Sequence, residues 1–208
     1  MSNAIPFWDR NAAGYEKRPV ADPDSYQTKL EVTRRFLTDT SRVLEVGCGT
    51  GSTAIAHAPH AGHILATDLS GKMLEFAQQK ADDADVRNVE FRQVSIESID
   101  EFDFDMVMAH SLLHLLEDKE IAIRKIFRML KPGGVFVSST ICLGETHAWL
   151  CWIAGPAKLL GLFPLIRFFT GDQLRESITS AGFAIEYDWQ PGPKKALFLI
   201  ARRPEAPE

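Results

Sequence analysis

The 208-residue chain is 45% hydrophobic and 25% charged, with a formal net charge of -5, which suits one domain with a sizeable core. That acidic balance, without a basic stripe, excludes a general nucleic-acid binder. Three scattered cysteines, Cys48, Cys142 and Cys151, form no CxxC pair, which excludes a disulfide framework and a cysteine zinc site.

In chain order, residues 7–40 read as one or two helices ahead of a sheet, so residues 1–40 are expected to form a helical lid. No basic-then-apolar leader pattern opens the chain, so a cytoplasmic protein is expected. The run "RVLEVG" reads as the first strand and feeds a loop with glycines at 47, 49 and 51. "HILATD" is the second strand, ending at Asp68. "SGKMLEFAQQKA" is a helix capped by Ser70, with Met73, Leu74 and Ala77 on one face. "VEFRQV" and "FDMVMAH" are the third and fourth strands. "DKEIAIRKIFRML" is a helix with acids at its start and a stop at Lys131-Pro132-Gly133, and "GVFVSST" is the fifth strand. The apolar character of these five strands predicts parallel pairing with burial on both faces.

Residues 149–169 are strongly apolar but are interrupted by Pro156, Lys158, Pro164 and Arg167. A spanning helix wants roughly 20 apolar residues with few or no charges, so a membrane span is rejected. "TGDQLRESITSAG" is a helix with a Thr170–Gln173 capping box and a stop at Gly182. The last strands, "FAIEYDW" and "ALFLIAR", are separated only by residues 190–195, too few for a parallel crossover, so they form an antiparallel hairpin. The expected fold is α/β: a Rossmann-like, seven-stranded, mostly parallel sheet with a C-terminal antiparallel hairpin and helices on both faces. One domain covers 1–208.

In such sheets the ligand crevice lies at the carboxyl ends of the strands, where the glycine loop falls. Glycine permits sharp turns and close approach of a ligand to the main chain. Asp68, about 20 residues further on, has the spacing of a carboxylate that binds ribose hydroxyls. The loop reads GxGxG, not the GxGxxG of dinucleotide sites, and Glu45 stands two residues before it. A carboxylate would repel a pyrophosphate by about 4 kcal/mol at about 4 Å in an effective dielectric near 20. It would favour a ligand bearing an ammonium or sulfonium cation, which points to S-adenosylmethionine.

The runs "VLEVGCGTG", "ATDLSGKMLEFAQQKA", "FDMVMAHSLLHLLED" and "MLKPGGVFVSST" resemble the successive motifs of class I S-adenosylmethionine-dependent methyltransferases. The resemblance extends from "FWDRNAAGYEK" to the last strand. It implies S-adenosylmethionine as cofactor, S-adenosylhomocysteine as product, and no metal. It places Glu45, Gly47, Cys48, Gly49 and Gly51 at the methionine end, Cys48 through its backbone. It assigns Asp68 to both ribose hydroxyls, with helix capping as the alternative, and puts Leu69 and Met73 beside the adenine. Related enzymes carry an acid after the third strand; here Ser95 stands in that place, leaving the backbone of Ile96 and the side chain of Glu97 to serve. Tyr15 and Ser111 complete the cofactor set. His110 is expected to face cofactor or acceptor, either as a general base with an ordinary pKa of about 6.5 or as the partner of a loop carbonyl. His114 and His147 are lesser candidates.

Acceptor selectivity in this fold is expected from the N-terminal region and from residues 145–170, an apolar substrate cap. Trp149, Trp152, Leu159, Leu160, Phe163, Phe168 and Phe169 there provide core packing with a lid, a pocket for an apolar acceptor, or a surface for membrane contact or homodimerisation. The expected activity is in-line methyl transfer to a small apolar acceptor. The rival is a non-catalytic cofactor-binding or partner-docking protein using residues 149–169 as its interface.

Overall fold

Alternating apolar and amphipathic segments fold into a three-layer α/β arrangement in the computed structural model, which describes residues 4–144 and 166–205. Two helices come first, α1 (Ala4–Glu16) and α2 (Pro23–Arg34). Then follow β1 (Arg42–Val46), α3 (Ser52–His57), β2 (His63–Asp68), α4 (Gly71–Asp83), β3 (Val89–Gln93) and β4 (Phe104–His110). The chain continues through α5 (Lys119–Met129), β5 (Leu130–Thr140), α6 (Gly171–Ser180), β6 (Ala184–Trp189) and β7 (Leu197–Arg202). The strand order is β3-β2-β1-β4-β5-β7-β6. β1 to β5 are parallel, and β7 runs antiparallel to both β5 and β6. The expected sheet, hairpin and helical layers are all present.

Local chemistry sets the element ends. Ser70 caps α4 by accepting from the Met73 N–H at 3.1 Å, and Thr170 and Gln173 form both bonds of a capping box on α6. Two expectations need correction. β3 is not buried on both faces, because the strand order puts it at the sheet edge, where its burial is only partial. Arg92 on that edge pairs with Glu90 and Glu101, a charged border that discourages further strand pairing. The stop after α5 also comes early: the helix ends at Met129, and residues 130–134 already belong to β5.

Side chains alternate across the sheet and so build two cores. Leu44, Val46, Val107 and Phe136 point to the side covered by α5 and α6. Val43, Met106, Met108 and Val137 point to the side covered by α2, α3 and α4. Glu45 belongs to this second face, since it lies two residues beyond Val43 and opposite Met108 in the parallel register. His110 follows Met108 by two, and Ser139 lies opposite His110. One face of the sheet thus carries Glu45, His110 and Ser139 toward the carboxyl ends of the strands. Among the described residues, no helix is long and apolar enough to cross a membrane.

Phe136 is fully buried and lies 5.5 Å from Phe183 between ring centroids. Phe136→Ala is expected to cost about 3–5 kcal/mol, whereas Thr170→Ala, which removes only a cap, is expected to cost about 1 kcal/mol. Urea denaturation of the two variants measures the difference.

Candidate cofactor and acceptor site

The loop between β1 and α3 holds Gly47, Gly49 and Gly51 at φ of 69°, 55° and 73°. This left-handed backbone costs other residues about 1–2 kcal/mol each. The three glycines nevertheless face different neighbours. A Cβ at Gly47 would lie 2.8 Å from Leu112 Cδ1, and one at Gly51 would lie 2.9 Å from both Ala77 Cβ and Phe91 Cε1. Those two positions are small because the protein's own side chains press on them. A Cβ at Gly49 would meet only Tyr15 Cε1, at 3.8 Å. Of the three, Gly49 alone leaves space for a ligand to approach the backbone.

Two carboxyl groups flank the loop. Glu45 is only 2% exposed. The Ala54 N–H donates to its carboxyl group, while Oε2 has no partner. Burial pushes the group up to about 8, with the charge of Asp68 adding to the rise and the Ala54 bond opposing it. Asp68 accepts from the Gly49 N–H on Oδ2 and from the Ser70 N–H on Oδ1, each at 2.9 Å. Burial raises its pKa, while the N–H groups of Ser70, Gly49 and Leu69 hold the rise back. Asp68 therefore fastens the glycine loop to the start of α4, and Ser70 does the capping. With three N–H donors on it, the Asp68 carboxylate keeps about one of its four acceptor sites for a further donor.

Helix α1 is pinned across this arrangement. Asp9 Oδ1 accepts from Ser70 Oγ at 2.6 Å and from the Lys72 N–H at 3.3 Å. Glu16 pairs with Lys80 at 3.0 Å. These ties set Tyr15 over Gly49, where burial and the charges of Asp68 and Glu45 raise the phenol's pKa.

A cavity of about 640 Å³ opens beside the loop. Seven of the expected site residues line it: Tyr15, Glu45, Gly47, Cys48, Gly49, His110 and Ser111. Gly51, Asp68, Leu69, Met73, Ser95, Ile96 and Glu97 do not. Met73 and Ile96 are core residues, 2% and 4% exposed. The Leu69 carbonyl accepts from Gln93, Ser95 donates to Ser98, and the Glu97 carbonyl accepts from Lys125. Ser111, at φ 53°, donates its N–H to the Ser139 carbonyl at 2.7 Å. Among the described residues, no group of three or more His, Cys, Asp or Glu is placed to hold a metal. A second cavity of about 660 Å³, between α5 and α6, is lined by none of the expected cofactor residues but by Phe168 and Phe169, the end of the expected substrate cap.

His110 departs from the ordinary imidazole assumed from sequence. Its Nε2 is buried without a partner, and burial with the charge of Lys29 pushes its pKa down to about 4. It is a neutral imidazole at neutral pH. His114 is also lowered by burial but lies off the cavity. His147, Cys151 and the expected substrate cap up to residue 165 lie outside the described residues.

The sequence reading missed the wall supplied by α2, α3 and β5. Lys29 Nζ donates to Ser139 Oγ at 2.9 Å, and Tyr26 Oη lies 3.3 Å from Thr53 Oγ1. His57 is fully buried in the same wall with neither ring nitrogen partnered. Burial, then the charges of His110, Arg34 and His60, push its pKa down to about 3. A signal was available: Ser25, Lys29 and Thr33 recur every four residues, a polar stripe along one face of α2.

The sequence model of the family described as a methyltransferase domain matches residues 37–174. A ubiquinone biosynthesis O-methyltransferase of Paracidovorax citrulli is 35% identical over 126 residues, 59% of this chain and 52% of that protein. The chain thus spans about half that relative's length. The enzyme of the same name from Pseudomonas fluorescens Pf-5 is 30% identical over 188 residues, 86% of this chain and 78% of that one. Among solved structures, the N-methyltransferase NodS of Bradyrhizobium japonicum, in complex with S-adenosylhomocysteine, superimposes with a TM-score of 0.76. It is 19% identical and covers 98% of this chain and 100% of its own, a likeness of fold.

The glycine contacts separate two substitutions. Gly51→Ala, forced against Ala77 and Phe91, is expected to destabilise the fold by more than Gly49→Ala, which meets only the left-handed backbone cost of about 1–2 kcal/mol. Thermal melts of both variants measure this.

The titrating groups give the unliganded protein a pH signature. Glu45 stays protonated in the fold but ionises in the unfolded chain between pH 4.5 and about 8. Its contribution to stability is full below that window and lost as pH rises through it, by up to about 1.4 kcal/mol per pH unit. His57 and His110 act oppositely. Neutral in the fold and charged when unfolded, they withdraw stability as pH falls from 6.5 toward about 3 for His57 and about 4 for His110. Urea denaturation across this range is expected to show Glu45→Gln flattening the alkaline limb only.

Proposed function

The chain belongs to the methyltransferase domain family, and on that premise we propose that it transfers a methyl group from S-adenosylmethionine to an oxygen of a small, apolar acceptor. The observation that carries this reading is the buried Glu45 carboxyl with its unpartnered oxygen, beside the open Gly49 backbone in the 640 Å³ cavity. An orphaned acid of this kind suits a cationic ligand group, because a buried charge is tolerated when it is paired.

In this reading Glu45 faces the cationic methionine end of the cofactor, and the Gly47–Cys48–Gly49 backbone lies along it. Asp68 offers its remaining acceptor capacity to the ribose hydroxyls, and Leu69, with residues 95–97, lies toward the adenine. When bound, S-adenosylmethionine supplies a methyl group on a sulfonium sulfur, already activated for transfer. The protein's share of the chemistry is binding, orientation and exclusion of water. Residues 1–40 act as lid, with Tyr15 covering Gly49 through the Asp9 and Glu16 ties of α1. His110 Nε2, neutral and unpaired, is placed to take a proton from an acceptor hydroxyl. The choice of oxygen rests on the O-methyltransferase relatives at 30% identity or more. The apolar acceptor rests on the composition of residues 145–170.

Pairing with a cation should bring the pKa of Glu45 below neutrality. Binding of S-adenosylmethionine near pH 7 is therefore expected to release about one proton, measured by calorimetry in buffers of different ionisation enthalpy. Glu45→Gln should abolish that release and weaken binding by roughly tenfold to a hundredfold. For the acceptor, labelled methyl from S-adenosylmethionine is supplied to a cell extract that is then split into organic and aqueous phases. Label in an organic-phase methyl ether supports the proposal. Label confined to water-soluble amines or macromolecules sinks the acceptor assignment, and no transfer at all favours a non-catalytic cofactor-binding protein.

A further inference from the structure

We propose that Lys29, seated on Ser139 in the cavity that His57 and His110 also line, is the acceptor-binding cation and holds an oxyanion of the acceptor, a phenolate or a carboxylate. The inference rests on the methyltransferase reading only in calling this ligand the acceptor. The first ground is charge. Among the described residues, Lys29 makes a single hydrogen bond, to a hydroxyl, and no carboxylate lies within ion-pair distance of it. Asp22, the cap of its helix and the acid whose charge acts on Lys29, is itself paired with Lys195 at 3.0 Å. Glu16, another acid of the wall, is paired with Lys80. An ammonium has three donors, and Ser139 uses one, leaving two for a ligand.

The second ground is burial without satisfaction. His57 is 0% exposed and lines the cavity with both ring nitrogens unpartnered. His110 Nε2 is likewise buried and unpartnered. Leaving a buried polar group unsatisfied costs about 1–3 kcal/mol, so a pair of such groups on one wall marks a place where a ligand supplies the missing bonds. A neutral imidazole offers one donor and one acceptor, which suits a second oxygen or a hydroxyl on the same acceptor. Burial lowers the pKa of Lys29, with the charge of Asp22 opposing and that of Lys195 adding to the fall, and an anionic ligand would work against the burial.

The third ground is placement on the sheet. Glu45 on β1 lies opposite Met108 on β4; His110 is two residues along β4, and Ser139 on β5 lies opposite His110. All point to one face, with two strand spacings, about 10 Å, between β1 and β5. An acid suited to a cation and a lysine suited to an anion thus stand on either side of His110 in one cavity. A purely structural Lys29 would only tie α2 to β5, and a neutral residue able to bond Ser139 would serve that purpose.

The test is equilibrium binding of benzoate, 4-nitrophenolate and neutral benzamide to the full chain in saturating S-adenosylhomocysteine, whose own affinity is measured alongside. The wild type is expected to bind at least one anion roughly tenfold more tightly than benzamide. Lys29→Met should erase that preference, Lys29→Arg should retain it, and S-adenosylhomocysteine affinity should stay within about twofold in both. If Lys29→Met fails to fold, Lys29→Gln, which can still bond Ser139, takes its place. Benzoate alone responding identifies a carboxylate, and 4-nitrophenolate alone a phenolate. An anion preference absent from the wild type, or surviving the loss of the lysine charge, overturns the proposal. Failure of the wild type to bind S-adenosylhomocysteine would instead strike the cofactor reading, with the anion comparison then made on the unliganded chain.

Discussion

A single buried carboxyl group organises this site. Glu45 sits on a central strand with one carboxyl oxygen unpartnered and the group bonded to the first turn of α3. Burying an acid in this way is unfavourable unless it is neutral or finds a cation. The fold arranges both possibilities. In the unliganded protein Glu45 holds its proton, and the glycine loop beside it leaves room at Gly49 alone for a cationic group to arrive. The loop is held by Asp68 on one side and by the close contacts of Gly47 and Gly51 on the other. The open position is thus framed by contacts that fix its neighbours.

The same sheet face then extends the site beyond the cofactor. Parallel pairing keeps Glu45, Met108, His110 and Ser139 on one side, and α2 closes over their carboxyl ends. Helices α1 and α2 divide the work. α1 is tied to α4 through Asp9 and Glu16 and covers the glycine loop with Tyr15. α2 turns Lys29 and Tyr26 inward, to Ser139 and Thr53. The region ahead of the first strand accordingly supplies a wall of the cavity as well as its cover.

Much of this was legible in the residues, and the rest failed for identifiable reasons. Seven strands, the terminal hairpin, the Ser70 cap and the Thr170–Gln173 capping box follow from periodicity and local chemistry, which are properties of short segments. The edge position of β3 does not, because strand order is a tertiary property and "VEFRQV" is nearly as apolar as a central strand. The glycines show a subtler limit. Sequence reveals that three positions lack side chains but not what each Cβ would strike, and for Gly47 and Gly51 the answer is the protein itself. Lys29 escaped notice because a lysine on an amphipathic helix usually reads as solvated. His57 escaped because a six-residue helix has too little periodicity to reveal which of its side chains is buried.

The shifted groups of the cavity share one logic. Burial raises Glu45 and lowers His57, His110 and Lys29, in each case favouring the uncharged form. Burial thus works against charge at each of these four groups, while the cavity wall also carries the paired charges Glu16–Lys80 and Asp22–Lys195. A cation beside Glu45 would draw that acid into its charged form, an anion beside Lys29 would hold the ammonium charged, and the two ligands would also attract each other across the roughly 10 Å that separates β1 from β5. Binding of either then strengthens the field that favours the other. A cationic methyl donor and an anionic acceptor are the pair for which such reciprocal attraction also aligns nucleophile with electrophile. On the proposed pairing, the electrostatics of binding and the approach of the reacting groups would be one problem, met by residues on a single face of the sheet.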